Sequence, residues 1–242
     1  MFKQSNFFEL PGYTFEIRRH ALAILQQDYP EACSDLKGVL EGFYIEEDEV
    51  LVGGGGESTI TQRLRRALAK LGWKKRKIQI EEKIEGRIHT SDTHEMDHLR
   101  TFREDLPGVA IEIEWNNKDP FYDRDLENFR RLHEIAVISV GVIITRGESL
   151  QEKLLDVFRE HFVQTPARVQ EELEKKNIRK KIEGRDFSSA EEKALTVAKA
   201  AYDSKYGKAT THMDKLMDRI DRNVGSPCPL VLIGIEEERL KR

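Results

Sequence analysis

Apolar and polar positions alternate from Gly108 to Trp115, in the stretch "GVAIEIEW". A period of two residues predicts a β-strand. One side of this strand carries Val109, Ile111, Ile113 and Trp115, and the other carries Ala110, Glu112 and Glu114. Two carboxylates on one face of a strand inside a sheet are costly to bury, so this pair needs a chemical explanation.

Other apolar patterns predict the elements around this strand. The stretch "KIQIEEKIEGRIHTSDTHEMDHLR" alternates on both sides of Gly86 and predicts a hairpin. The continuous apolar runs "AVISVGVIITRG" and "PCPLVLIGI" are typical of buried strands. Helical spacing places Leu126, Phe129 and Leu132 on the inner face of a helix in "DRDLENFRRLHEI".

Helices are also predicted nearer the N-terminus. In "ESTITQRLRRALAKLGW", Ser58 or Thr59 can cap a helix that Gly72 ends. The buried stripe of that helix is predicted to be Ile60, Leu64, Leu68 and Leu71. The segment before it predicts a helix that ends near Gln27 and a second short helix after Pro30.

This order of elements predicts a mixed α/β (α+β) fold, in which a central β-sheet has helices on both faces. A chain of 242 residues suits one domain, 1–242. We divide it into an N-terminal helical region (1–49), a core (50–147), a helical insertion or arm (148–204), and a helix and strand that return to the core (205–242).

Composition narrows the class of protein. Cys33 and Cys228 form no spaced pattern, which argues against a disulfide or zinc framework. No apolar run approaches membrane-spanning length and the N-terminus lacks a signal peptide, so we expect a cytoplasmic protein without a membrane partner. The four glycines at 53–56 lack the ending of a phosphate-binding P-loop, so we expect no nucleotide cofactor.

The distribution of charge says more about partners than the net charge of −4. Every charged residue from Arg63 to Lys77 is basic. Two interpretations stay open at this point. The run is either a solvated helix face or a surface that binds nucleic-acid phosphates, to which Lys74 and Lys75 would belong.

Three carboxylates are predicted to meet at one edge of the sheet. Asp97 ends the second hairpin strand, and Glu112 and Glu114 point the same way from the next strand. Clustered acids repel one another unless a cation binds, and Mg²⁺ prefers oxygen ligands and keeps several waters. We predict that Asp97 and Glu112 bind Mg²⁺ and that Glu114 binds or orients the attacking water or helps to hold a second metal. For any one of these acids, the alternative is a solvated surface residue.

Long runs of the sequence carry a family resemblance. They are "GGGGESTITQRLRRALAKLGW", "EMDHL", "VAIEIEWNNKDPFYDRDLENFRRLHE", "ISVGVIITRG" and "KYGKATTHMDKLMDRI…CPLVLIGI", within 50–147 and 205–235. These runs resemble the type II restriction endonucleases of the BglII and BamHI group, in the PD-(D/E)xK nuclease superfamily. The resemblance implies a restriction-endonuclease-like core and a Mg²⁺-dependent homodimer that cleaves double-stranded DNA at a short palindromic site. It leaves 1–49 and 148–204 unexplained.

The resemblance also implies roles for individual residues. Asp97 matches the family's first metal-binding aspartate and Glu112 its second acid, whereas Glu114 stands where most of the superfamily has lysine. The BamHI-like branch shares this departure, so activity is still expected, although a mechanism that needs lysine there is in doubt; Lys118 is a nearby basic group. Glu57 matches a further acid on the helix before the sheet, although a first-turn glutamate also complements the helix dipole.

Residues beyond the catalytic strand are candidates to contact DNA. Asn116, Asn117 and Lys118 can read bases, because Asn bonds adenine bidentately and Lys bonds guanine; for the two asparagines a simple turn is the alternative. A second group resembles a phosphate-contacting loop and helix start: Lys205, Lys208, Thr210, Thr211 and His212. By resemblance, the helix 122–134 is the expected dimerisation element.

Two other functions remain open at the level of sequence. One is a DNA repair or junction nuclease of the same fold that reads DNA structure and not sequence. The other is a DNA-binding module without catalysis, although such a module gains nothing from carboxylates that face phosphate.

Overall fold

The computed structural model describes residues 9–51 and 56–241. Within these ranges the strands are β1 Tyr13–Arg18, β2 Ile45–Glu46, β3 Lys74–Ile84, β4 Arg87–Arg100, β5 Gly108–Glu114, β6 Ile138–Arg146, β7 Leu230–Ile235 and β8 Leu240–Lys241. The helices are α1 Ala21–Asp28, α2 Pro30–Gly42, α3 Glu47–Leu51, α4 Thr59–Lys70, α5 Phe121–Glu134, α6 Glu148–Gln164, α7 Pro166–Glu174, α8 Lys176–Ile182, α9 Ala190–Lys205 and α10 Met213–Ile220. In this part of the chain, no helix combines the length and apolar character needed to cross a membrane.

A six-stranded mixed sheet lies at the centre, in the order β1-β7-β6-β5-β4-β3. Strands β5, β6 and β7 are parallel to one another, whereas β3, β4 and β1 pair antiparallel with their neighbours. The parallel strands are buried along almost their whole length, which explains their continuous apolar sequences. A small separate sheet pairs β2 with β8.

The sheet separates two hydrophobic cores, so helices cover both of its faces. On one face, Val109 and Ile111 of β5 pack with residues of α1, α2, α4 and α6 to α9. On the other face, Ala110 of β5 packs with α5 and α10. The α5 residues that fill this second core are Leu126, Phe129 and Leu132, as predicted. This arrangement confirms the predicted mixed α/β fold.

Helices α6 to α9 share a core with the sheet. Leu154 and Phe158 of α6 and Val197 and Tyr202 of α9 are buried in the same cluster as the apolar side chains of β5, β6 and β7. The inner surfaces of the helical region 148–204 are therefore used for packing. Its outer surfaces are left for contacts with other molecules.

The helical prediction for the N-terminal region was wrong at its start. Residues 15–18 were predicted as the start of a helix, but they belong to the edge strand β1, Tyr13–Arg18, which pairs antiparallel with β7. The helix α1 begins at Ala21, after left-handed conformations at Arg19 and His20 (φ 56° and 61°) turn the chain. The backbone groups along the edge of β7 need hydrogen-bond partners, and this long-range requirement is invisible in the local sequence.

The basic run 63–77 spans two elements. Helix α4 ends at Lys70 and β3 begins at Lys74, so the run is a helix followed by a strand and not one helix face. The predicted buried stripe is correct at its first three positions. Leu71 is 39% exposed, because it is the C-cap residue and lies beyond the last helical turn.

The β3–β4 hairpin confirms the predicted turn. Glu85 and Gly86 both have positive φ (50° and 80°), as a two-residue type I′ turn requires. Strand β4 continues beyond the predicted end at Asp97 to Arg100, because its last residues pair with β5. Asp97 therefore lies within the sheet and not at the end of a strand.

The close contact between β6 and α5 predicts that one added methyl group lowers the stability of the protein. A Cβ added at Gly141 would lie 2.4 Å from Cδ2 of Phe129, which is too close for the two atoms to coexist. Gly141→Ala must displace the ring or the strand, and we expect it to lower the free energy of unfolding by about 1–3 kcal/mol. Urea unfolding measures this change.

Gly38→Ala is the matched control for Gly141→Ala. Gly38 lies within α2, and no atom lies within 4 Å of the added methyl group. The substitution should raise stability by roughly 0.5–1 kcal/mol, because alanine loses less backbone entropy than glycine in a helix. Equal effects of the two substitutions would contradict tight packing at Gly141.

Candidate active site

A cleft of about 850 Å³ opens at the carboxyl end of β5. Its walls are the start of α4, the β3–β4 hairpin and the start of α5. The predicted site residues that line it are Glu57, Lys74, Lys75, Asp97, Glu112, Glu114, Asn116 and Asn117. The fold thus brings residues from distant parts of the chain to one place.

Asp97 and Glu112 lie side by side on neighbouring strands. In the antiparallel pairing of β4 with β5, His98 is opposite Ile111, so the next pair along the strands is Asp97 and Glu112. The backbone N–H of Asp97 donates to Glu112 Oε1 at 3.1 Å. The Asp97 side chain is half exposed, whereas Glu112 is buried. The pair therefore joins a carboxylate that faces the cleft to one that is buried beside it.

Burial raises the pKa of both glutamates on β5. The pKa of Glu112 lies well above its ordinary value, first because of burial and then because of the negative charges of Asp125 and Asp97. Burial, followed by the charge of Asp125, raises the pKa of Glu114 to about 9. A hydrogen bond from Asn117 Nδ2 to Glu114 Oε2, 2.8 Å long, partly opposes this shift. Without a bound cation, burial therefore favours the protonated form of both carboxyl groups.

Asp125 is a third buried acid, and the sequence analysis missed it. It lies near the start of α5 and is 1% exposed. Its Oδ1 accepts a hydrogen bond from Arg124 Nη2 at 2.7 Å, and its carboxyl group is also hydrogen-bonded to that of Glu114. A signal was present in the sequence: helical spacing puts Asp125 on the same face as Phe129 and Leu132, where an acid is out of place.

Two cations lie beside Glu114 and Asp97, but each is too far from the carboxylate for a hydrogen bond. Arg124 Nη2 is 3.8 Å from Glu114 Oε1, and Lys75 Nζ is 3.8 Å from Asp97 Oδ1. The side chains of both cations are more than half exposed, so water screens their attraction for the buried carboxylates. The raised carboxyl pKa values follow from this imbalance between burial and compensating charge.

The donor set of Asp97 and Glu112 fits Mg²⁺. Both residues offer oxygen atoms, they are adjacent, and the uncompensated negative charge beside them favours a cation. Among residues 9–51 and 56–241, no three His, Cys, Asp or Glu side chains are grouped so as to hold a metal ion. Mg²⁺ is commonly held by one or two carboxylates, with water and substrate phosphate as further ligands. A metal at this pair would depend on those further ligands.

Glu57 lies at the rim of the cleft, just before α4. Its carboxylate is 2.9 Å from Arg65 Nη2. Ser58 is the N-cap residue, and its side chain accepts a hydrogen bond from the Thr61 backbone N–H at 3.0 Å, which confirms the predicted cap. Most of the glycine run before Glu57, at 53–55, lies outside the described residues. Both interpretations of Glu57, an active-site acid and a partner of the helix dipole, stay predictions.

The loop after α9 holds the chain beyond β5 in place. The Thr211 N–H donates to Asn117 O at 2.8 Å, and Lys118 forms a β-bridge with Thr210. Arg146, fully buried at the end of β6, donates to Thr211 O at 2.5 Å and to Thr210 Oγ1 at 2.7 Å. The position of Asn117 in the cleft thus depends on a buried cation at the end of the neighbouring strand β6.

Several predicted phosphate-binding side chains make contacts within the protein. Lys205 Nζ donates to Val50 O at 3.0 Å, and burial lowers the pKa of Lys205 to about 8. Thr211 and His212 are buried, whereas Lys208 is exposed. Phosphate binding by this group stays a prediction, and Lys208 is its most accessible member.

The family model described as restriction endonuclease BglII/BglIII matches residues 13–235. The matched range contains every residue that lines the cleft and all six strands of the central sheet. No match was found among curated proteins.

The raised pKa of Glu114 predicts how stability changes with pH when no metal is bound. The ordinary pKa of its carboxyl group is 4.5, and the value in the folded protein is about 9, so the folded state binds this proton more tightly than the unfolded chain. The associated stability is fully present below the unfolded pKa and is lost as the pH rises through the folded pKa. In EDTA, the free energy of unfolding should therefore fall between pH 4.5 and about 9.

Glu114→Gln should flatten this pH dependence, because the amide does not titrate. Glu104→Gln, at an exposed acid before β5, is the matched control and should leave the dependence unchanged. Denaturant unfolding at a series of pH values measures both. The same slope in Glu114→Gln and in the unsubstituted protein would show that Glu114 is not protonated in the metal-free state.

Proposed function

The chain belongs to the BglII/BglIII restriction endonuclease family, and from this premise we propose the finer details of its reaction. Members of the family act on DNA, and the chain is a site-specific deoxyribonuclease. We propose that it requires Mg²⁺, acts as a homodimer and cleaves double-stranded DNA within a short palindromic site. The observation that carries this proposal is the meeting of Asp97, Glu112 and Glu114 in one cleft with too little compensating positive charge.

In the proposed reaction, Asp97 and Glu112 would hold the metal. A bound Mg²⁺ supplies Lewis-acid chemistry at the scissile phosphate and lowers the pKa of bound water. Asp97 faces the open cleft and is therefore accessible to ligands from solvent and from DNA. Glu112 is held by the N–H of Asp97, which fixes the two carboxylates relative to each other.

Glu114 is proposed to orient the attacking water and to accept its proton. Its Oε2 is fixed by Asn117 Nδ2, so the carboxyl group has a defined orientation. Positive charge entering the cleft lowers the pKa of Glu114, and the ionised carboxylate can then take a proton from water. A lysine is not needed for this step, and Lys118 does not line the cleft.

The side chains around the acids suit a DNA duplex. Lys74 and Lys75 line one side of the cleft, and Asn116 and Asn117 line the end of β5. Lysines attract phosphates whatever the sequence, whereas an asparagine amide can discriminate between bases. Because the Asn117 amide also donates to Glu114, base recognition and orientation of the catalytic carboxylate are proposed to be linked.

A homodimer would match the two-fold symmetry of a palindromic site with two equivalent clefts. Helix α5 is the proposed dimerisation element. Its inner face packs on the sheet through Leu126 and Phe129, which leaves its outer face for a partner. Because the start of α5 also forms a wall of the cleft, a partner on this helix would lie close to the reaction site.

Incubation with plasmid DNA and Mg²⁺ tests the proposed function. Discrete fragments are expected from a sequence-specific enzyme. Random nicking would instead favour a repair or junction nuclease that reads DNA structure. An absence of cutting would favour a DNA-binding module without catalysis.

Asp97→Asn and Glu112→Gln should each abolish plasmid cleavage and leave DNA binding measurable. Each substitution removes a charge that would hold a metal and not a base contact. The matched control Glu104→Gln removes an exposed charge outside the cleft and should cut normally. Full cleavage by both site variants at ordinary Mg²⁺ concentrations would exclude these residues from the active site.

Salt titrations should separate the lysines of the cleft from Asn117. The double variant Lys74→Ala with Lys75→Ala should weaken binding to cognate and scrambled duplexes alike. It should reduce the slope of log affinity against log salt by roughly one unit for each lost phosphate contact. Asn117→Ala should weaken cognate binding by about 1–3 kcal/mol and leave the slope nearly unchanged.

The same titrations can contradict the proposed roles of Asn117 and of the two lysines. Equal weakening of cognate and scrambled duplexes by Asn117→Ala would reduce Asn117 to a turn residue. An unchanged slope in the double lysine variant would show that Lys74 and Lys75 belong to a solvated surface and that DNA lies elsewhere.

A further inference from the structure

Helix α8 and the residues after it carry a concentration of positive charge outside the cleft. We define the α8 surface as Lys176, Arg179, Lys180, Lys181 and Arg185. Glu183 is the one acid within this stretch. All five basic residues are exposed.

Helical spacing directs these charges outward. Ile178 and Ile182 are buried, and α8 packs on α9. Lys176, Arg179 and Lys180 are spaced by three and four residues and therefore share the opposite side of the helix. The apolar side of α8 thus fixes the basic side towards solvent.

No cation of the α8 surface forms an ion pair within residues 9–51 and 56–241. Lys181 and Arg185 share a surface pocket with Glu191, Glu192 and Asp203, whereas Lys176 and Lys180 lie outside that pocket. Lys181 Nζ donates to Ala200 O at 3.3 Å and to Ser204 Oγ at 3.0 Å, and Arg179 donates to backbone carbonyls of α7. Neither contact involves a carboxylate. Lys176, Lys180 and Arg185 make no side-chain hydrogen bond or ion pair with any residue in 9–51 or 56–241.

Some surface cations on the neighbouring helices α7 and α9 form ion pairs. On α7, Arg168 lies 2.6 Å from Glu171, and on α9, Lys199 lies 2.8 Å from Asp203. The protein as a whole has a net charge of −4, so carboxylates are not scarce. Lys176, Lys180 and Arg185 lie within ten residues of one another, and such a concentration of cations without an ion pair favours a polyanionic partner.

Contacts through α9 connect the α8 surface to the end of the sheet that holds the cleft. Lys181 contacts Ser204 in the last turn of α9, and the loop after α9 pairs with the residues that follow β5. Lys205, the last residue of α9, also donates to the backbone carbonyl of Val50 in α3. Helix α3 precedes α4, whose start forms one wall of the cleft. Through these contacts of α9, helix α8 is connected to the carboxyl ends of the parallel strands.

We propose that the α8 surface binds backbone phosphates of the DNA that flanks the cleaved site. This inference rests on the proposed function for the placement of the duplex in the cleft. A duplex carries one negative charge per roughly 1.7 Å along its axis, so a rod held in the cleft presents phosphates well beyond it. The binding is independent of base sequence, because the α8 surface offers charge and not amide groups for base edges.

A salt titration of Lys176→Ala with Lys180→Ala tests this proposal. The probe is a duplex of about 30 base pairs of arbitrary sequence, without Mg²⁺, since phosphate contacts are independent of sequence. Two lost contacts should reduce the slope of log affinity against log salt by about 1.8, at 0.9 per phosphate. Lys176→Arg with Lys180→Arg keeps the charge and should keep the slope.

A matched control separates contact from the overall field of the protein. Arg103→Ala with Arg222→Ala makes the same change in net charge at exposed residues before β5 and β7, at the opposite end of the parallel strands. The slope should stay unchanged in this variant. Equal reductions in the two alanine pairs, or no reduction in the α8 pair, would overturn the proposal, and far-UV circular dichroism confirms that each variant is folded.

Plasmid cleavage at saturating DNA distinguishes failure of this inference from failure of the proposed function. The α8 double alanine variant should cut at the normal rate once DNA is saturating, because its residues lie outside the cleft. If the unsubstituted protein does not cut, the proposed function fails, and the salt slopes still decide whether the α8 surface binds DNA. A lower cleavage rate at saturating DNA would contradict a role limited to flanking phosphates.

Discussion

The burial of carboxylates on the central strand β5 is the constraint on which the site depends. Glu112 and Glu114 occupy positions that would hold apolar side chains in an ordinary buried strand. Asp125 adds a third acid from the helix that packs on this face. Burial raises the pKa values of all three, so the folded protein contains a site that favours protons or a cation. The stability lost to this arrangement is supplied by the apolar packing of the remaining strands and helices.

The parallel strands gather the functional loops at one end of the sheet. Because β5, β6 and β7 run in the same direction, the chain segments that follow them meet at their carboxyl ends. Arg146 at the end of β6 holds the loop after α9, and that loop in turn pairs with the residues after β5. Among the described residues the buried guanidinium has no carboxylate partner, and its burial lowers its pKa to about 10. Its hydrogen bonds to the Thr211 carbonyl and the Thr210 hydroxyl hold this loop at the end of the sheet that carries the cleft.

Charge is distributed unevenly over the same end of the molecule. The cleft combines buried acids with exposed lysines, which suits a reaction in which a metal and a phosphate backbone must meet. The α8 surface continues the basic character away from the acids. A protein with a net negative charge can therefore still present a positively charged surface to a duplex, because the local electrostatic potential depends more on nearby groups than on net charge.

The sequence by itself determined the elements whose patterns are local. The alternation around Glu112 and Glu114, the spacing of Leu126, Phe129 and Leu132, and the apolar runs of β6 and β7 were sufficient to predict a mixed sheet with helices on both faces. The pairing of Asp97 with Glu112 also followed from strand order and was placed in one cleft by the structure. These features depend on side-chain periodicity, which each segment carries within itself.

The tertiary structure decided what depends on partners distant in the chain. Tyr13–Arg18 became a strand because the edge of β7 needed hydrogen bonds, and Asp125 joined the site because α5 packs over β5. Thr211 and His212, which are predicted to contact phosphate, are buried in the loop that Arg146 holds, and their burial depends on contacts formed only in the folded chain. Long-range hydrogen bonding and burial choose among conformations that a local sequence permits, so no pattern within a single segment reveals them.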